Sequence, residues 1–206
     1  MIGDLRTGLI RTSEGSTHQP RSDREGSQVV TLSGGTFREA SLNKQLCFSY
    51  CASRATSLPT TAMIGNIVWN PPGSGMVLSL CSWDILIHVT SATCIGITLG
   101  YAAQAITPTT TTAADAQGNC YLNAGSPGQS VAKAYAIGTL LVAPTPVVPL
   151  FHNTAAINTV GVDKMSGNFE GIWIVPPGYA VAFCALEAAV AAAGMTSTLV
   201  WEELKE

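Results

Sequence analysis

Ile64-Gly65-Asn66-Ile67-Val68-Trp69-Asn70-Pro71-Pro72-Gly73-Ser74-Gly75-Met76-Val77-Leu78-Ser79-Leu80 joins two apolar runs through a proline-proline-glycine corner. A similar design returns late in the chain, where Phe169 to Val175 meets Pro176-Pro177-Gly178 and continues as Tyr179 to Leu186. Each stretch carries a tryptophan ahead of its corner, Trp69 in the first and Trp173 in the second. Proline has no N–H for a ladder and a preset φ, while glycine accepts the positive φ that other residues resist. The stretches Ile64 to Thr90 and Phe169 to Leu186 therefore read as strands joined by tight turns, the second as a hairpin of Phe169 to Val175 with Tyr179 to Leu186.

Working outward, Met76 to Thr90 is the clearest strand. Val77, Ser79, Cys81, Trp83, Ile85, Ile87 and Val89 alternate with Leu78, Leu80, Ser82, Asp84, Leu86 and His88, and both sets are partly apolar. A strand covered on both sides, by a second sheet and by a neighbouring subunit, has this pattern. Cys94 to Ala103 follows as the return strand. Gln28 to Leu32, Gln45 to Tyr50, Ala134 to Val142, Pro146 to Phe151, Ala155 to Val160 and Thr196 to Leu204 are further strand candidates, the last with Leu199 and Trp201 on one face. Thr107 to Gln117, with Pro108 and a run of threonines, reads as a loop. Ala185 to Ala193 has strong intrinsic helix propensity but is short and lies between strand-like runs, so a strand end with a helical turn and a true helix are both open. Many short strands with Gly and Pro turns predict an all-β fold, a jelly-roll-like β-sandwich over residues 28–206.

Composition separates this body from what precedes it. The chain of 206 residues is 47% apolar and only 11% charged, against about 25% charged in an ordinary globular domain. Arg6, Arg11, Arg21, Arg24, Arg38, Lys44 and Arg54 all fall within its first 54 residues. Residues 1–27 are polar and lack the apolar content to order themselves, and read as an extended N-terminal arm. A neutral body with a charged arm implies subunits packed side by side and an arm that reaches elsewhere.

Several function classes find no support. A formal charge of −3, with no basic stripe, argues against nucleic-acid binding. Met1 to Gln28 has no signal-like apolar core, and no window approaches about 18 uninterrupted apolar residues, so no membrane span is expected. Cys47, Cys51, Cys81, Cys94, Cys120 and Cys184 are spread through apolar runs and read as reduced thiols acting as small hydrophobes. Cys47-x-x-x-Cys51 has no second half to complete a metal site, and His18, His88 and His152 stand alone. Asp84 and His88 share a face but lie about 13 Å apart along a regular strand, too far to pair. Gly34-Gly35 and Gly73-Ser74-Gly75 lack the helix and lysine of a phosphate loop. Glu202 and Glu203, adjacent on a strand, face opposite sides. The reading is of a non-enzymatic protein without a cofactor. Trp69, Trp83, Trp173 and Trp201 are its candidate packing and self-association residues, with a sugar-stacking platform as the alternative for Trp69, Trp173 and Trp201.

Gly35-Thr36-Phe37-Arg38-Glu39-Ala40, Trp69-Asn70-Pro71-Pro72-Gly73-Ser74-Gly75, Pro176-Pro177-Gly178-Tyr179 and Leu199-Val200-Trp201-Glu202-Glu203-Leu204 occur here in that order. In this the chain, from about Gln28 onward, resembles small virion structural proteins of tailed bacteriophages, and its profile resembles capsid decoration or cement proteins. The resemblance implies a self-associating β domain, commonly a homotrimer, on the capsid surface of a virion assembled in the host cytoplasm. Its partner would be the major capsid protein, gripped in part by Arg6, Arg11, Arg21 and Arg24. The other reading is a receptor- or glycan-binding module of a tail or head fibre.

Overall fold

The computed structural model describes residues 10–11, 17–18, 45–54, 56–89, 95–120, 130–153, 163–186 and 194–206. The chain divides into two units, Met1–Arg38 and Glu39–Glu206. In the first, β1 (Ile10–Arg11) pairs antiparallel with β2 (Thr17–His18), Ile10 opposite His18. The arm's Arg6, Arg21 and Arg24 lie outside the described residues, as do the strand candidates Gln28 to Leu32 and Ala155 to Val160 and most of the helix-prone run after Leu186.

The second unit is a β-sandwich. Its strands are β3 (Leu46–Arg54), β4 (Ala62–Asn70), β5 (Met76–Val89), β6 (Ile95–Ala103), β7 (Thr109–Ala113), β8 (Ala116–Asn119), β9 (Lys133–Thr139), β10 (Thr145–Asn153), β11 (Asp163–Asn168), β12 (Ile174–Val175), β13 (Tyr179–Ala185) and β14 (Gly194–Lys205). Sheet I runs β10-β6-β13-β4-β9-β7, and sheet II runs β11-β5-β14-β3-β8 with β12 also on β5. Every pairing is antiparallel. Val68, Leu99, Ala134, Val181 and Phe183 of sheet I meet Cys47, Leu80, Trp83, Ile85, Leu199 and Trp201 of sheet II in one core. Burial of this apolar surface, at roughly 25 cal/mol per Å², is the main force holding the sheets together.

Neither Pro-Pro-Gly corner closes a hairpin. The first carries the chain from β4 in sheet I to β5 in sheet II, and the second carries it back from β12 in sheet II to β13 in sheet I. The reason lies in the prolines. Two-residue hairpins use turns with positive φ at the first central residue, which a proline ring locked near −65° cannot adopt; the turns it can adopt splay the strands. At the first corner Ser74 N–H donates to Pro71 O over 3.2 Å, and Gly73 has φ of +75°, as a type II turn requires of its third residue. Gly178 has φ of +81° at the matching place of the second corner.

The two corners are stitched together by buried amides. Asn70 Nδ2 donates to Met76 O (2.8 Å) and to Val175 O (3.0 Å), and Asn70 O accepts from Gly178 N (2.8 Å). Gln104 N donates to Gly178 O (2.7 Å), and Gln104 O accepts from Trp69 Nε1 (2.8 Å). Trp69 thereby packs with Met63, Ile67, Ala102, Leu140, Ala180, Ala182 and Cys184 in a second apolar cluster of sheet I, apart from the main core.

Three further departures from the sequence reading have local causes. Val200 pairs with Ser82 but Trp201 pairs with Leu80, so Cys81 is an extra residue in β5. This β-bulge switches the alternation: Leu78 and Leu80 face the core before it, and Trp83, Ile85 and Ile87 after it. The segment read as a loop holds β7 and the start of β8: its threonines have good strand propensity, Thr109, Thr112 and Ala113 pair with β9, and Ala116 and Gln117 pair with Tyr50 and Ser49 of β3. The expected strand Phe169 to Val175 is mostly a turn: Glu170 and Gly171 have φ of +53° and +75°, and Ile172 N–H donates to Phe169 O over 3.0 Å. Only Ile174 and Val175 remain as strand.

Two polar devices tie the layers. Gly65 and Asn66 fall in a register shift of β4, where Gly65 has φ of +131°. Asn66 is buried, accepts from Ser49 Oγ (2.8 Å) and donates to Ser49 O and Ser197 O (3.4 Å each), joining sheet I to sheet II. Glu203 of β14, also buried, accepts from Ser130 Oγ (2.6 Å), Val131 N (3.0 Å), Ala132 N (3.3 Å) and Trp201 Nε1 (3.4 Å). Those donors satisfy a carboxylate that would otherwise be costly to bury.

Candidate functional site: an aromatic groove at the second corner

Three consecutive large apolar residues, Ile172, Trp173 and Ile174, face solvent at 74%, 39% and 49% exposure. Their backbone is nonetheless held in place. Gly171 N donates to Leu80 O (2.9 Å), Leu80 N donates to Trp173 O (2.9 Å), and Ile174 pairs with Ser79. Glycine at 171 supplies the positive φ, and a Cβ there would sit 2.9 Å from Ser79 Oγ, which would have to turn aside. The strip is thus fixed to β5 while its side chains stay out of the core. Such a run costs solubility and contributes little to folding, which marks it as a surface for something else.

Beside the strip lies a groove of about 330 Å³. Leu80, Leu99 and Val181 belong to the main core and also reach the groove, which Tyr101, Trp173, Ile174 and Tyr179 line as well. The strand rows explain why. Leu99 and Tyr101 are alternate residues of β6, and Val181 and Tyr179 alternate residues of β13, so each row runs out of the core to an exposed tyrosine. The two phenol rings stack with centroids 6.5 Å apart and planes at 26°, within the range of offset aromatic pairs. Among the described residues no carboxylate, imidazole, thiol or amine lines the groove. It can hold an apolar or ring-shaped group.

The tryptophans singled out in the sequence part company here. Trp69, Trp83 and Trp201 are buried within the chain, and Trp173 is at the groove. Trp83 lies against β11, where a Cβ on Gly167 would come within 2.6 Å of the indole. Arg11 is in β1 of the N-terminal unit. Tyr101, Tyr179 and Ile172 went unnoticed as site residues. Tyr179 had a signal in following Gly178 directly, whereas nothing in the sequence of β6 shows that Tyr101 emerges from the core.

Cys47, Cys51, Cys81 and Cys184 are buried. Burial pushes Cys47 and Cys184 up to about 12, Glu203 adding to the effect at Cys47. Burial, then Glu202, pushes Cys81 up to about 11. Such thiols are poor nucleophiles at neutral pH. Among the described residues no group of three or more His, Cys, Asp or Glu is placed to hold a metal ion. Asp84 pairs with Lys164 at 3.4 Å on the exposed surface of sheet II. No known protein family, curated protein or solved structure matches the chain.

Proposed function

We propose that this chain is a structural subunit of a phage particle that associates with copies of itself and binds the capsid surface, decorating or stabilising the head. The observation that carries the reading is the strip Ile172-Trp173-Ile174, core-type residues turned to solvent on a backbone pinned to β5. A half-exposed tryptophan next to an apolar groove is the kind of anchor that dominates protein interfaces. The charge-poor body supports the same reading, and so does the resemblance of its corner and strand-end motifs to virion structural proteins. On this reading the major capsid protein is the partner, and the arginines of residues 1–27 supply a second attachment that raises avidity.

The test is the number of copies of this chain relative to the major shell protein in purified particles, by quantitative mass spectrometry. A ratio of the same order is expected. A handful of copies moves the protein to a vertex or the tail, and absence overturns the reading. Trp173→Ala should lower occupancy on particles at least tenfold, the loss of a hot-spot residue worth about 2 kcal/mol.

A second reading is a receptor- or glycan-binding module. The three aromatic rings of Tyr101, Trp173 and Tyr179 at one groove favour it, because pyranose rings stack on such faces. Binding on a glycan array that is lost in both Trp173→Ala and Tyr179→Ala would establish this reading over the first.

A further inference from the structure

Among the described strands the two sheets end in four outer edges, and they are not treated alike. On β10, Pro146 and Pro149 remove backbone donors and two register shifts interrupt the strand. On β11, Asp163 begins the strand and Lys164 projects into solvent. β8 is four residues long, and the Gln117 side chain ties it to sheet I through Ala132 O (2.6 Å) and Ala134 N (2.7 Å). Proline, charge, shortness and bulging are the means by which proteins prevent edge-to-edge pairing. β7, Thr109-Thr110-Thr111-Thr112-Ala113, has neither proline nor charge, and all five residues are exposed.

Next to this edge lies an apolar patch that the fold does not use. Ile106, Leu141 and Val142 are each half exposed or more. Gln104, itself buried, gathers them: its Nε2 donates to Ile106 O (2.6 Å) and its Oε1 accepts from Leu141 N (2.7 Å). The patch is continuous with β7, since Thr109 pairs with Thr139, two residues before Leu141. Two register shifts remain, one between Thr112 and Ala113 and one between Thr109 and Thr112 that includes Thr110, whose φ is +49°. For a β-branched residue this conformation costs about 1–2 kcal/mol, and on its outer side Thr110 is exposed to solvent.

We propose that the β7 edge and the patch of Ile106, Leu141 and Val142 form the surface through which two copies of this chain join, edge to edge about a two-fold axis. The occupant follows from the chemistry. An uncharged threonine strand is complementary to its own antiparallel copy, with threonine facing threonine and no like charges brought together. The flanking residues then add apolar area from both copies. Five residues span about 17 Å, so the pair is weaker than an obligate dimer and is populated at high local concentration, such as on a particle. This differs from the three-fold association that the resemblance implies, and it is independent of the particle reading: a dimer that binds no particle keeps this inference and loses that one.

The experiment is light scattering after size exclusion on the full chain at roughly 100 µM, the regime of a weak interface. The expected mass is twice the 21.4 kDa of the chain. Thr112→Lys and Leu141→Asp should each return it to a single chain mass, with unchanged near-ultraviolet circular dichroism, because both residues are exposed and outside the cores. Thr145→Lys, on the β10 edge, is the matched control and should leave the dimer intact. A monomer or trimer in the unmodified chain overturns the proposal. So does a Thr145→Lys variant that dissociates as fully as Thr112→Lys, or a Thr112→Lys and Leu141→Asp pair that both remain dimeric.

Discussion

Trp69 and Trp173 occupy similar places in two similar stretches and meet opposite fates. Trp69 is two residues before its first proline and 5% exposed, while Trp173 is three residues before its own and 39% exposed. Trp69 is off the row that faces the other sheet, yet it is sealed by Gln104 and by the second apolar cluster. Trp173 shares its groove with Val175, whose side chain reaches the main core, but it sits beyond the point where the sheets close. A tryptophan before a proline corner thus says nothing by itself about burial. What decides is whether the chain lays another segment over it, as it does at Trp69 with Gln104 and Leu140.

The comparison can be broken most directly at the tryptophans. Trp69→Ala should lower the unfolding free energy by about 3–5 kcal/mol, the usual cost of emptying a buried aromatic site, measured by urea denaturation. If it costs no more than Trp173→Ala, the two corners do not differ as described. Asn70 gives the next largest effect. Asn70→Asp puts a carboxylate against the carbonyls of Met76 and Val175, and should cost about 3 kcal/mol or more at neutral pH, as an uncompensated buried charge does. Asn70→Ala should cost about 1–2 kcal/mol. Equal losses would mean that the donated hydrogen bonds are not what joins the corners.

Smaller effects sharpen the picture. Gly178→Ala should cost about 1–2 kcal/mol for its positive φ, since the nearest atom to a new Cβ is Pro72 Cγ at 3.8 Å and leaves room for it. Glu170→Gly should have the opposite sign, gaining up to about 1 kcal/mol by relieving a non-glycine residue at φ of +53°. A loss in that variant would show that the glutamate side chain holds the turn. Trp173→Ala should cost clearly less than Trp69→Ala, about 1–2 kcal/mol for the covered part of the indole, while it weakens particle or glycan binding.

Much of the architecture was legible because period-2 alternation and proline-glycine punctuation are local signals. They marked β4, β5, β6, β9, β10, β13 and β14, and hence the all-β class and the sandwich. The partners of those strands were not legible: the prolines exclude a two-residue hairpin, but nothing local states which strand the chain pairs with after the corner. The bulge at Cys81 was equally silent: one unpaired residue changes which half of β5 faces the core without altering the apolar pattern. Of the site, Trp173 was noticed for its residue type. Tyr101 was missed because it continues the buried row of Ile97 and Leu99 and differs only in lying past the end of the core.

The place of β14 has a consequence for how the molecule comes into being. This strand lies between β5 and β3 at the centre of sheet II, and it brings both Trp201 and the Glu203 carboxylate that gathers Ser130, Val131 and Ala132. During synthesis, β3 and β5 leave the ribosome more than a hundred residues before the strand that separates them. Until then each has an open side, and direct pairing between them is a competing product. Long-range pairing of this kind makes folding slow, and the waiting edges are where misassembly begins.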